Sequence, residues 1–298
     1  MVAKRIALLL QGGAGPISPE VYIRNQGALR EHMDALVPML TGGATAMDVV
    51  EEAVARMEAD PRFNAGIGSS LRLDRSIQLD ASIMDGNRLR GAGVGAVTRL
   101  VSPVRLARKV LERTPHVLLA GPWADAFADE CGFERVPTEQ LIVPERLALW
   151  ERKMRARETS ADQLLSSGGT VGAVALDEAG GLAAATSTGG MVLSMPGRVG
   201  DSAILGAGTY ATPDAAVSVT GVGESIMHTL MAKHCADLIT AGAAPQDACE
   251  SCVKYQSERT PGTTGLVAVS ADGAVGLAFN SVQMNRAVFT PDGGLVVP

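Results

Sequence analysis

The sequence has few aromatic residues, few cysteines and no long apolar run. Tyrosine, phenylalanine and tryptophan together make up 3% of the 298 residues, so a core must be built from Ala, Val, Leu and Ile, which supply most of the 46% hydrophobic content. Four cysteines in so long a chain, Cys131, Cys235, Cys249 and Cys252, do not make a disulfide framework and fit a reducing compartment. The apolar stretch in "MVAKRIALLLQGG" is too short for a signal h-region and far too short to span a bilayer. A cytoplasmic protein is expected.

Positive charge is also scarce. Lys and Arg number 26 against 32 Asp and Glu, a net charge of −6, and outside a stretch near 145–157 the basic residues do not cluster, which argues against a nucleic-acid surface. What the chain has in abundance is glycine, 34 residues, pointing to tight turns and close backbone packing. At this length roughly three quarters of the unfolded surface can be buried, so one large domain with a sizeable core is feasible.

"RIALLL" predicts a short buried strand, followed by a glycine turn at "GGAG". Residues 18–59 carry helical spacing in two stretches split by "TGGAT". Three later segments read as strand, turn, strand: "SIQLDASIMDGNRLRGAGVGAVT", "TVGAVALDEAGGLAAATSTGG" and "TTGLVAVSADGAVGLAFNSVQM". Their faces are apolar or small on both sides, so helices over 103–113, 123–131, 223–240 and 245–258 are expected to cover mainly antiparallel sheets. The expected fold is α+β with four layers, helix, sheet, sheet, helix. Residues 137–169 break this pattern: they are charged, open with helical character and end in Ser and Gly, as an exposed connector would.

That connector ends at Gly169–Thr170, where a strand begins at once. A threonine hydroxyl is a poor nucleophile unless a base takes its proton, and one solution is the residue's own α-amine once it is N-terminal. Such an amine has a reference pKa of about 7.7–8.0, close to working pH. Gly169 lets the hydroxyl approach its carbonyl for an N-to-O acyl shift. On these residues alone, Gly-Gly-Thr is more often an ordinary loop. In "GRVGD", Arg198 and Asp201 can present a cation and an anion to one small zwitterion, although a solvated ion pair is commoner. "CESC" at 249–252 has redox spacing but falls in a helical pattern without a second pair, so packed thiols are the favoured reading.

The segments "QGGAG", "FNAGIGSSL", "LDASIMDG", "TVGAVALD", "TSTGG", "GRVGDSAILGAGTYA" and "VTGVGE" occur in this order. Together they resemble the plant-type asparaginase and isoaspartyl peptidase family of N-terminal nucleophile hydrolases, over about residues 6 to 290. The resemblance implies an αββα sandwich, one domain autocleaved into 1–169 and 170–298, and a homodimer of cleaved protomers. It implies Thr170 as nucleophile, Gly169 as the residue whose carbonyl is attacked, and Thr188 rather than Thr186 as the hydroxyl beside the nucleophile. Thr220 and Gly221 would form the oxyanion hole. Arg198 would hold the substrate's α-carboxylate, Asp201 and the Gly223 carbonyl its α-ammonium, and Asn64 would help position the site. "MEADPRFNAGI" matches a loop that binds sodium through main-chain carbonyls, which would place Met57, Glu58, Asp60, Phe63, Ala65 and Ile67 around the ion. No catalytic cofactor is implied.

The implied substrates are β-aspartyl dipeptides, asparagine or both, with no nucleic acid or membrane partner. A glycosylasparaginase-like hydrolase is the runner-up, and an impaired member acting as a binding protein is kept open by Gln11, where relatives commonly have histidine. A glycine-loop nucleotide-binding module is a further alternative, since "GGAG" follows a strand. It lacks the spaced third glycine, the acidic partner and the phosphate-loop lysine.

Overall fold

Residues 5–156 and 169–298 are described by the structure, a computed structural model. The first strand, β1 (Ala7–Gly15), shows how the core is organised. Leu8 and Leu10 join the apolar cluster beneath the N-terminal helices, while Ala7 and Leu9 join a second cluster on the opposite face. Period-two alternation with both faces apolar is the signature of a strand covered on each side.

β1 lies inside an eight-stranded sheet of order β12-β11-β1-β5-β6-β2-β3-β4. Its other members are β2 (Leu79–Asp85), β3 (Arg90–Val97), β4 (Leu118–Ala120), β5 (Val171–Leu176), β6 (Leu182–Thr188), β11 (Gln283–Thr290) and β12 (Gly294–Val296). A four-stranded sheet of order β10-β9-β8-β7 comprises β7 (Thr209–Ala211), β8 (Ala215–Gly221), β9 (Thr264–Ser270) and β10 (Val275–Phe279). Between the named strands every pairing is antiparallel except β3 with β4. The three expected hairpins are β2–β3, β5–β6 and β9–β10.

Helices α1 (Pro19–Thr41), α2 (Ala46–Ala59) and α3 (Pro103–Arg113) contribute to the first apolar cluster. Ser18 and Thr45 cap α1 and α2 by accepting from Val21 N and Asp48 N, the capping chemistry that sets helix starts. Short helices α4 (Gly121–Glu130) and α5 (Thr138–Leu141) lead to α6 (Pro144–Ala156). After β8 come α7 (Gly223–Thr229), α8 (Met231–Thr240) and α9 (Pro245–Ser257). α8 and α9 bury Ala232, Cys235, Ala236, Cys249 and Cys252 against the inner residues of β8 and β9 in a third cluster. Among the described residues no helix is long and apolar enough to cross a membrane.

Three expectations need correction. "GGAG" is not a turn: it continues β1 to Gly15, with a register shift between Gln11 and Ala14. This leaves no phosphate-binding loop between a strand and a helix and removes the nucleotide-binding reading. The helix expected over 223–240 is broken at Leu230, whose φ of 45° is left-handed. The next helix starts there because Ala232 N and Lys233 N donate to the carbonyls of Ala207 and Gly206. Finally, the first half of the connector is helical as expected but is docked rather than free. Trp150 Nε1 donates to Arg72 O and Arg146 Nε to Gly68 O. Its remainder, 157–168, lies outside the described residues.

Candidate active site

Register places the central pair of hydroxyls. β5 and β6 pair with Val171 opposite Ser187, so one more step along the ladder sets Thr170 against Thr188. Thr170 Oγ1 donates to Thr188 Oγ1 at 3.3 Å, and Thr188 Oγ1 also accepts from Gly190 N at 3.0 Å. Thr186, two residues back on the same face, is committed elsewhere, bonding Gly208 O, Ser218 Oγ and Thr209 Oγ1. The contact with Thr170 therefore distinguishes the two threonines as the motif alone did not.

Gly169 is held on three sides. Its carbonyl accepts from the backbone N–H of Asn64 at 3.3 Å. A methyl group on Gly169 would stand 2.6 Å from Asn64 Cβ, and one on Gly13 would stand 2.6 Å from Gly169 Cα. Contacts this short have no room for a β-carbon. Asn64 is itself fixed, its Nδ2 donating to Gly190 O at 2.8 Å and its Oδ1 accepting from Ser70 N at 2.7 Å. Gln11 accepts from Gly13 N through Oε1 at 3.0 Å. It is buried, and its Nε2 has no hydrogen-bond partner among the described residues.

Asn64, Gly169, Thr170, Thr188, Gly190, Met191, Arg198, Asp201, Gly221 and Gly223 line one crevice of about 10 Å³, room for roughly one water molecule. Thr220, expected in the site, is not among these lining residues; it lies in β8 next to Gly221, and its buried Oγ1 has no hydrogen-bond partner among the described residues. Gly221 has φ of 139°, and a side chain there would collide with Thr263 O. A methyl on Gly223 would lie 2.5 Å from Arg198 Nη2 and 2.8 Å from Asp201 Oδ1, so the cation and the anion meet beside that glycine.

The turn carrying Arg198 and Asp201 is anchored by Asp80, which sequence reasoning left without a role. Its buried carboxylate accepts from Ala96 N and Gly200 N at 2.8 Å each. Burial raises the Asp80 carboxyl above its ordinary range against the pull of Arg72. Burial likewise pushes Asp201 up to about 7, with the Arg198 charge acting the other way. Asp201 Oδ2 has no hydrogen-bond partner among the described residues. Arg198 donates through Nε and Nη2 to both oxygens of Glu224 at 2.9 Å. Burial works against its charge, but Glu224 together with Asp80 and Asp201 outweighs burial and holds the guanidinium above its usual range. Arg72, fully buried, donates to Ser194 Oγ and Gln78 O and ties the 71–78 loop to the 190–198 segment.

Matched against known proteins, residues 4–295 fit the family model described as asparaginase. The chain belongs to that family. Among the family's curated members, the isoaspartyl peptidase of Salmonella typhimurium is 44% identical over 95% of this chain and 95% of its own length. That of Escherichia coli is 42% identical over 95% and 92%. The human isoaspartyl peptidase/L-asparaginase is 42% identical over 94% and 91%.

In the loop expected to hold a cation, Met57 to Ile67, three carbonyls pack closely against Gly66 and Gly68. A side chain on Gly66 would collide with Glu58 O and Val101 O, and one on Gly68 would stand 2.6 Å from both Phe63 O and Pro61 O. The carboxylates in this loop face elsewhere. Asp60 binds Arg62 and His32, and Glu58 accepts from Ser102 Oγ and Val104 N. The carbonyls of Met57, Glu58 and Asp60 each already accept one amide, and a carbonyl keeps a second lone pair.

The three buried thiols match the packed-cysteine reading. Cys235 Sγ is 4.0 Å from Cys249 Sγ, and Cys252 is buried beside the same helix pair. All four cysteines are free.

Proposed function

We propose that this protein is a self-processing isoaspartyl peptidase and L-asparaginase whose nucleophile is Thr170. The observation that carries the reading is the Thr170–Thr188 hydroxyl pair in a crevice shared with Arg198 and Asp201, directly after a glycine carbonyl already held by the Asn64 amide. Family relatives named isoaspartyl peptidase, at 42–44% identity, support the same chemistry.

In the first reaction Thr170 Oγ attacks the Gly169 carbonyl carbon. The Asn64 backbone N–H stabilises the developing oxyanion, the C–N bond breaks, and the proton lost from Oγ passes to the nitrogen, which becomes the free α-amine. Water then hydrolyses the Gly169 ester on Oγ, leaving 1–169 and 170–298. Because Gly169 itself lines the crevice, its departure opens room for substrate.

In the second reaction the Thr170 α-amine takes the proton from Oγ as it attacks the β-carbonyl of an aspartyl group. Thr188, which accepts the Thr170 hydroxyl proton in the resting arrangement, holds Oγ in place until that proton turns to the amine. The unpartnered Thr220 hydroxyl and the adjacent Gly221 backbone receive the oxyanion. Donors of this kind are worth about 3–4 kcal/mol each. The ammonium formed on Thr170 protonates the departing amine, and water releases aspartate from the acyl-enzyme. Arg198 binds the substrate's α-carboxylate, and Asp201 with Gly223 its ammonium. The reaction so written uses no cofactor. A sodium ion among the main-chain oxygens of Met57, Glu58, Asp60, Phe63, Ala65 and Ile67 would only stiffen the loop carrying Asn64; carbonyl oxygens suit a hard cation.

The three apolar clusters, one beneath each helical face and one between the sheets, support the four-layer αββα arrangement. One domain cleaved once, assembled as a homodimer and working in the cytoplasm, completes the reading. Free cysteines are consistent with that compartment. Mass spectrometry of purified protein tests the core of it. Fragments ending at Gly169 and beginning at Thr170 are expected, together with release of free amino acid from β-aspartyl dipeptides. Thr170→Ala should yield neither. A working enzyme that remains one unbroken polypeptide would overturn the assignment.

A further inference from the structure

Arg198 reaches from its glycine-bounded turn to the start of α7, 26 residues later, where Glu224 takes hydrogen bonds from Nε and Nη2 at 2.9 Å each. This is the side edge of the guanidinium. Nη1 has no partner among the hydrogen bonds described, so the end edge, Nη1 with the second proton of Nη2, is uncommitted. Two glycines flank that fork: methyl groups on Gly200 and Gly223 would lie 2.6 Å from Nη1 and 2.5 Å from Nη2. A guanidinium can engage one carboxylate on each edge, because its five donors form a fixed planar array.

Resting on the function proposed above, we propose that Glu224 is a positioning residue for substrate capture. Its carboxylate clamps Arg198 by the side edge, so that the end edge is presented, already oriented, to the substrate's α-carboxylate. A long arginine side chain otherwise loses rotamer freedom on binding, and preorganisation removes that cost from the binding step. The opposing effect is repulsion between Glu224 and the incoming carboxylate. The Glu224 side chain is 43% exposed against 14% for Arg198, so water and salt screen that repulsion. Orientation therefore wins, and removing Glu224 weakens capture.

The test compares cleaved wild type, Glu224→Ala and Glu224→Gln on a β-aspartyl dipeptide and on the same compound with its aspartyl α-carboxylate converted to a primary amide. The expected result is a KM for the acid about tenfold or more higher in Glu224→Ala, with kcat changed less than about threefold. Glu224→Gln, which keeps one acceptor oxygen for Nε or Nη2, should recover part of the loss. The amide compound should be turned over with the same KM by all three. An unchanged or lowered KM for the acid in Glu224→Ala overturns the proposal, as does equal weakening toward the amide compound, which would indicate general damage. If Glu224→Ala fails to fold, the isosteric Glu224→Gln carries the comparison, and a KM equal to wild type overturns the proposal. A cleaved wild type that hydrolyses neither compound overturns the hydrolase reading itself.

Discussion

The backbone N–H of Asn64 donates to the carbonyl oxygen of Gly169, and Asn64 Cβ stands only 2.6 Å from where a β-carbon on Gly169 would be. One residue thus both polarises the bond proposed to break and demands that the residue before it be glycine. Gly13 closes the other side, with φ of 101° and its Cα-facing surface against Gly169 Cα.

Gly169→Ala and Gly13→Ala should therefore retain the fold but stall chain cleavage. Each methyl meets a neighbour at 2.6 Å, and relief requires the carbonyl to shift from the Asn64 amide. Since a displacement of this size can cost about 10²-fold in rate, uncut chain should persist for many hours where wild type is processed. A time course on denaturing gels, with circular dichroism to confirm folding, checks this.

Thr188 makes a narrower prediction. Thr188→Val keeps the volume and removes the acceptor for Thr170 Oγ1 and for Gly190 N. A neutral hydrogen bond is worth about 1 kcal/mol net, so kcat should fall about fivefold. Thr188→Ser should restore most of it. Thr186→Val, which disturbs the hydroxyl cluster with Ser218 and Thr209, should lower stability without the same selective loss of kcat. Steady-state kinetics beside thermal melts separates the two.

Much of this architecture was legible from alternation and turn chemistry alone. The three hairpins and helices such as α3 fall where apolar periodicity and Asp- or Gly-containing turns put them. What failed had tertiary causes. "GGAG" reads locally as a turn, yet it is strand because Ala14 and Gly15 pair with Met284 and Gln283 of β11, and Gly13 leaves room for Gly169 to approach. The break at Leu230 carries no glycine or proline signal; it exists because the carbonyls of Gly206 and Ala207 take the amides of the next helix. Within the site, motif resemblance named eight of the ten residues that line the crevice; it did not name Gly190 and Met191, and Thr220, which it did name, is not among them. Asp80, Arg72 and Glu224 were invisible, because each acts by pairing with a segment far away in sequence.

Asp201 yields a prediction in which function and stability pull in opposite directions. Burial pushes its carboxyl up to about 7, well above the ordinary carboxylate value of about 3.9. Only the ionised form attracts the substrate's ammonium, so affinity for L-aspartate in the cleaved enzyme should weaken as pH falls below 7, by up to about tenfold per unit. Isothermal titration between pH 5.5 and 8 measures this directly, without needing turnover. For stability the sign is reversed. A raised native pKa means the folded state binds the proton more tightly than the unfolded one, so the contribution is fully present below about pH 4 and lost as pH rises through 7. Asp201→Asn removes the charge that must be buried at high pH. It should raise the melting midpoint at pH 8 by several degrees, leave it nearly unchanged at pH 4, and abolish capture of aspartate at both. A variant that binds aspartate normally, or one that melts earlier than wild type at pH 8, would show that the buried carboxylate is neither the ammonium site nor the strained group assigned here.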